Sequence, residues 1–455
     1  MNLINNSMYK FITSKNKFFY TAFYISIYRL GIFITIPGIE RLLLKNYFEI
    51  NHSISGVFNL LSMFSGGDME KVSMFSLGIT PYISASLIIS LVTILLPNTK
   101  IVQNYRNSSK KTGFWLHILT LFISLLQSYA IVNFLLSISY HGQYIVFINR
   151  YTFIFLNLLT LSSGTVILVW CSHRISKFGI SNGVSILIIT NILSKSLKNL
   201  YDVYISFVNG IYSISDIYLL LVVTFLATLF ILIIETGEKR LSVVYNKVNV
   251  GSIRYKSKKN FLPIKINFCG IMPTLFASII LTMPVLYISL FYVDGFSRVI
   301  SYLSPNRWIY QICFCTLVIF FSYFYTLSYV NPKEISKNLM KTSGFFFNVH
   351  PGKATEEFIY FVLKRSIIWG SIYLIVVCNG PIFICYIYFK NIVNINSIYL
   401  IIILTILIDI INQTKAARIS IKHLTNIICF NAKKTYKISN RRTYESSGIS
   451  KKNMQ

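Results

Sequence analysis

The sequence predicts an all-α integral membrane protein of ten transmembrane helices. Three observations carry that expectation. First, 54% of the 455 residues are hydrophobic and only 13% are charged, against roughly 25% charged in soluble domains. The mean hydropathy is +0.60. A soluble core cannot hide that much apolar surface, so the bilayer is the matching solvent. Second, ten apolar windows reach the length of about 20 residues that a spanning helix needs. They fall at 18–37, 74–96, 114–136, 151–171, 182–200, 216–235, 267–291, 309–330, 366–386 and 396–412. Third, most of the 43 Lys and Arg lie in the N-terminus, in alternate loops and in the C-terminal tail. That asymmetry marks the cytoplasmic side of a membrane protein.

The first window carries Arg29, ends in Pro37-Gly38 and precedes nine more spans, so it is expected to be a retained helix rather than a cleavable signal peptide. Before the second window, residues 53–73 read SISGVFNLLSMFSGGDMEKVS. This piece is apolar but too short to span, and it ends in Gly66-Gly67 followed by Asp68, Glu70 and Lys71. It is either re-entrant, which requires protein or water around it, or an interfacial helix on the outer surface. The fifth window is the weakest, because Asn191, Ser194 and Lys195 interrupt it.

Two connections are long, near 236–266 and 331–365, and both mix charges: Glu238 in the first, and Glu334, Glu356 and Glu357 in the second. Composition allows either solvated loops or a protruding docking surface. The tail from 413 is basic and polar. An even number of spans places both termini on one side, and the basic residues make that side cytoplasmic. A net charge of +29 would suggest nucleic acid binding in a soluble chain. Here its alternation explains it as topology, although a ribosome could use the same basic loops.

Other chemistries find little support. The seven cysteines are scattered, without CxxC, mostly in apolar runs, and read as small apolar side chains. The six histidines are isolated, with no HExxH and no helical pair, so no metal or cofactor is expected. An intramembrane hydrolase would need a Ser/His, His/Glu or paired-Asp set, and none is visible. A polytopic secondary transporter is the alternative function. Transporters commonly use midplane carboxylates and broken helices, and acidic residues are nearly absent from these windows. Arg29 and Asp409 are the charges singled out within spans, and both are read as structural.

Several blocks, in order along the chain, resemble the SecY family. FSGGDMEKVSMFSLGITPYISASLIIS at 64–90 is similar to its most distinctive block, in which a short plug helix, a Ser-Gly-Gly turn and a Pro-Tyr helix follow one another. YRLGIFITIPGI at 28–39, SSGTVILVWCSHRISKFGISNGVSI at 162–186 and IIETGEKRLSVVYNK at 233–247 resemble further family segments. So do LPIKINFCGIMPTLFASII at 262–280, NPKEISKNLMKTSGFF at 331–346 and VHPGKAT at 349–355, while Asp409 and Gln413 fit the end of the tenth helix.

The resemblance implies two pseudo-symmetric five-helix halves around an hourglass pore, with a re-entrant plug helix. The halves would be 1–200, with the plug near 56–67, and 201–412, followed by a basic cytoplasmic tail at 413–455. It implies a central protein-conducting channel that passes unfolded preproteins and releases transmembrane segments through a lateral gate. No catalytic residue and no cofactor are called for, so the chain is not expected to be an enzyme. The implied pore ring is Ile79, Ile83, Val184, Ile188, Met272, Leu275 and Ile402. Spacings of three or four put each of the first three pairs on one helix face, although residue types alone fit ordinary packing equally well. The implied plug residues are Phe58, Leu61, Phe64, Ser65, Gly66 and Gly67. Gln127 and Asn267 match polar lateral-gate positions, and a structural contact between helices would use the same residue types.

Lys239, Arg240, His350, Pro351, Gly352, Lys364 and Arg365 would serve partner binding in the cytoplasmic loops. The implied partners are SecE-like and SecG-like subunits in a heterotrimer, a SecA-type ATPase motor, the ribosome, unfolded preproteins and lipid. The expected location is a bacterial inner membrane, with a plastid thylakoid membrane as alternative. The chain departs from the family pattern at His350, where Arg is common, and at Ser172-His173, where Gly-Glu is common. The loop NTKIVQNYRNSSKKTG at 98–113 lacks the usual acidic-basic motif, and Ser90 replaces a Gln found in a relative.

Overall fold

In the computed structural model the described residues are 2–50, 72–95, 109–137, 139–140, 143–210, 213–245, 249–250, 253–254, 260–290, 308–389 and 398–416. In chain order these form α1 (Asn2–Phe33), α2 (Arg41–Ile50), α3 (Thr80–Leu95), α4 (Ser109–Ser137), β1 (Ser139–Tyr140), β2 (Gln143–Tyr144), α5 (Arg150–Phe178), α6 (Gly183–Val208) and α7 (Ile214–Thr236). Then follow β3 (Glu238–Tyr245), β4 (Asn249–Val250), β5 (Ile253–Arg254), β6 (Asn260–Lys265), α8 (Met272–Leu290), α9 (Trp308–Tyr329), α10 (Pro332–Lys341), β7 (Gly344–Phe346) and α11 (Lys353–Phe389). A last helix, α12, covers Ile398–Ala416.

Each of the ten apolar windows falls largely on one of these helices. Among the described residues, six stretches are long and apolar enough to cross a membrane: Gly113–Leu136, Arg150–Phe178, Ile214–Thr236, Trp308–Lys341, Lys353–Pro381 and Ile398–Ala416. Thr80–Val92 and Met272–Leu281 are shorter apolar helices. The most apolar, α7, is started by a capping box. Ser213 Oγ accepts from the Asp216 backbone N–H, and Asp216 returns a carboxylate to the Ser213 N–H. This reciprocal pairing satisfies two donors that a helix start leaves open.

Helix packing is local in sequence. α3 packs on α4, α4 on α5, α5 on α6, α8 on α9 and α9 on α11, while α8 also reaches α4 and α3. Around α1, α4 and α5, a cluster including Ile36, Val72, Val132, Leu135, Ile145 and Phe153 is buried. Short backbone bridges tie it together: Ile36 N donates to Val72 O at 3.2 Å, and Glu40 N to Ile145 O at 3.1 Å.

The fold is mostly helical, as expected, and a small sheet adds to it. The two long loops pair into one antiparallel sheet in the order β6-β3-β7. β3 supplies the central strand, with Leu241 opposite Leu262 and Val243 opposite both Asn260 and Phe346. Leu241 and Val243 are buried, while Ser242 and Val244, which alternate with them, are exposed. That is the period of two that a half-buried strand requires. Leu241, Val243, Ile264, Phe346 and Ile359 share one core with Leu339 of α10. The second loop also ends sooner than expected, because α11 begins at Lys353 and runs 37 residues. Lys364 and Arg365 therefore lie on a helix rather than in a loop.

Contacts divide the chain into two units, Met1–Ile406 and Leu407–Gln455. In the second, the described residues are 407–416, the end of α12.

Candidate functional site

The expected pore positions lie near helix starts. Ile79 precedes α3 by one residue, and its carbonyl accepts from Ile83 N at 3.2 Å, so the pair still shares one helical face. Both side chains are buried. Val184 and Ile188 sit in the first two turns of α6 and are half-buried. Asn182 caps that helix, its side-chain oxygen accepting from Val184 N at 3.3 Å. Met272 and Leu275 open α8 but differ in surroundings, with 37% and 2% of each side chain's residue exposed. Ile402 of α12 is buried. The packing of α8 on α3 brings two of these helices together. The plug positions Phe58, Leu61, Phe64, Ser65, Gly66 and Gly67 lie outside the described residues.

The start of α6 is set by close backbone approach. A Cβ on Gly183 would collide with the Ser172 carbonyl of α5, and Gly183 N donates to Ser176 Oγ at 2.8 Å. Only glycine lets the two helices turn this tightly. Deeper in the same bundle, Arg29 Nη2 donates to the Thr190 carbonyl of α6. That contact gives the Arg29 guanidinium a partner, in keeping with a structural role.

The two expected gate amides have different surroundings. Gln127 is buried on α4, between Ser124 and Ser128, whose hydroxyls donate to carbonyls of their own helix. Asn267, just before α8, is also buried. Its Nδ2 donates to Glu235 Oε1 at 2.7 Å and to the Gly270 carbonyl at 3.1 Å. Tyr373 Oη of α11 donates to the same Glu235 oxygen at 3.5 Å. Glu235 and Asn267 are 7% and 3% exposed. Neither Glu235 nor Tyr373 was singled out from sequence. The available signal was an acidic residue closing an otherwise apolar window.

Of the residues expected to bind partners, two lie on the sheet and five in the turn and helix that follow it. Lys239 and Arg240 are exposed on β3. The Arg240 guanidinium lies 4.8 Å from the Phe261 ring on β6, a cation–π contact across neighbouring strands. His350 and Pro351 are exposed in the turn that leads into α11. The His350 carbonyl accepts from Thr355 Oγ1 at 2.8 Å, and the Gly352 carbonyl accepts from Ser336 Oγ of α10 at 2.8 Å. Gly352 has φ +112°, a conformation that favours glycine. Lys364 and Arg365 are exposed on α11. Among the described residues, no group of three or more His, Cys, Asp or Glu could hold a metal ion.

Apolar helices, buried isoleucines at helix starts and an extramembrane-type sheet built from two long basic loops define a multi-pass helical membrane protein. The SecY family model matches residues 73–411, and the chain belongs to the SecY family. It is 32% identical over 362 residues to the "Protein translocase subunit SecY" of Buchnera aphidicola subsp. Schizaphis graminum, covering 78% of this chain and 82% of that one. Among solved structures, "The structure of a protein conducting channel" superposes with a TM-score of 0.64 at 14% identity, over 90% of this chain and 93% of that chain. "Sec61 in the Canine ribosome-channel complex from the endoplasmic reticulum" gives a TM-score of 0.61 at 14% identity, with the same coverage. The chain therefore has the protein-conducting channel fold.

Proposed function

We infer that this chain is the central protein-conducting channel of a Sec-type translocon. It passes unfolded preproteins across a membrane and releases apolar segments sideways into lipid. The observation that carries this reading is membership of the SecY family across residues 73–411. A channel of this kind must pass a polypeptide and still block ions. A narrow apolar collar does so by dewetting, and Ile79, Ile83, Val184, Ile188, Met272, Leu275 and Ile402 are the side chains assigned to it. Ten helices cross the membrane in two halves of five, at 1–200 and 201–412, and the segment near 56–67 is assigned as the plug. Gln127 and Asn267 belong to the lateral gate.

The basic loops and the tail from 413 face the cytoplasm, as do both termini. The sheet β6-β3-β7, with Lys239 and Arg240, and the turn at His350, Pro351 and Gly352 form the docking face, joined by Lys364 and Arg365. The chain has no catalytic role of its own. Its free energy comes from a SecA-type ATPase or a translating ribosome, and the ribosome-bound Sec61 neighbour supports the latter contact. SecE-like and SecG-like subunits brace the two halves. A bacterial inner membrane is the assigned location, with a thylakoid membrane as the second possibility.

Reconstitution tests this reading. The chain, co-purified with a small SecE-like subunit and placed in proteoliposomes, is expected to protect a preprotein from protease when a SecA-type ATPase and ATP are added. A stable monomer that accumulates a small solute and protects no preprotein would instead return the secondary transporter.

A further inference from the structure

The buried carboxyl of Glu235 joins three elements that are distant in sequence. It closes α7, accepts from Asn267 just before α8, and accepts from Tyr373 on α11. The Asn267 amide is committed on the same side. Its Nδ2 donates to Glu235 Oε1 and to the Gly270 carbonyl. Its Oδ1 lies toward α11, 3.6 Å from where a Cβ on Gly370 would stand. Gly370 thus places α11 in close contact with this loop. The 2.7 Å contact has the length of a charge-assisted hydrogen bond. Removing one partner of such a buried contact costs more than the contact itself is worth, because the other is left desolvated.

We propose that Glu235 is a positioning residue of the lateral gate: through Asn267 and Tyr373 it pins the start of α8 to α7 and α11, and so sets how apolar a segment must be to displace α8. The proposal rests on the channel reading and adds a residue that touches no substrate. In the proposed gate, opening displaces the start of α8 from α7 and α11, so each hydrogen bond there opposes that movement. Weakening the pin therefore lowers the apolarity threshold. A membrane hydrogen bond is worth about 1 kcal/mol, which corresponds to roughly a five-fold change in the opening equilibrium.

The test measures ATP-driven export, in proteoliposomes, of preproteins whose signal segments step down in apolarity. Asn267→Asp sets two carboxyls against each other and is expected to raise export of the weakest substrate about five-fold. Glu235→Gln keeps an acceptor oxygen and is expected to stay near the wild-type threshold. The double variant Glu235→Gln/Asn267→Asp restores a donor–acceptor pair with reversed polarity, and the threshold returns. A purely structural role predicts lower thermal stability in the single variant without a threshold shift. That result, or a double variant as permissive as Asn267→Asp alone, overturns the proposal. If Asn267→Leu also leaves the threshold unmoved, the gate assignment itself fails. If Asn267→Leu shifts it and Glu235→Leu, folded and inserted, does not, only the role of Glu235 fails.

Discussion

Ile83 and Ile188 carry the ion seal in this account, and polar substitution there tests it. Ile83 is buried at the start of α3, and Ile188 is half-buried one turn beyond Val184 on α6. An amide in the collar gives water a hydrogen-bonding surface and removes the cost of wetting. Ile83→Asn and Ile188→Asn are each expected to raise resting ion conductance in planar bilayers. Unchanged conductance would remove them from the seal. The i, i+4 relation of Ile79 and Ile83 was legible in the sequence because helical spacing depends only on nearby residues. Glu235 was not. Its partners lie 32 and 138 positions away, and a carboxylate ending an apolar window ordinarily reads as interfacial. The unequal exposure of Met272 and Leu275 was equally hidden, since spacing places residues on a face without saying what covers it.

At the scale of elements, the apolar windows located the helices because a spanning segment satisfies its backbone within itself. The sheet was missed for the opposite reason. Its strands come from two loops, and β7 has only three residues, so no local pattern announces the pairing. The alternation of Leu241, Ser242 and Val243 was present in β3, but a strand shows its partner only once folded. The early start of α11 was legible in principle. KATEEFIYFVLKR contains no Gly or Pro, and breakers of that kind are what stop a helix.

Two element-scale outcomes follow. Val243→Asp places a carboxylate in the core shared by β3, β6, β7 and α10, where an unpaired charge is costly. Motor-driven export is expected to fall at least about ten-fold, equivalent to about 1.4 kcal/mol of lost coupling, while resting conductance stays at wild type. A rise in conductance would show that the sheet supports the pore as well. Gly183→Val drives a side chain into the Ser172 carbonyl. Because the obstacle is backbone, the loss is expected at the upper end for overpacking, about 3 kcal/mol. It is read as a lower thermal midpoint in detergent, and an unchanged midpoint would contradict the close α5–α6 approach.

For the whole molecule, the proposed division of labour separates an apolar membrane bundle from a polar docking face. The bundle supplies a barrier and a gate, and free energy enters through partners at the sheet and basic loops. The blocks that resemble the SecY family run through most of the chain, so family and fold were legible from sequence. The cytoplasmic face was less so, because His350 and Ser172-His173 depart from the pattern there and because the sheet depends on long-range pairing. In the proposed channel a polypeptide passes between α3, α6 and α8. A photo-crosslinking residue placed at position 83, and another at 188, reports this directly when a preprotein is arrested partway through export. Both positions are expected to label the arrested chain, with labelling that requires ATP and the motor and disappears when the chain is released. Labelling confined to exposed positions such as Phe225 on α7, with positions 83 and 188 silent, would contradict it.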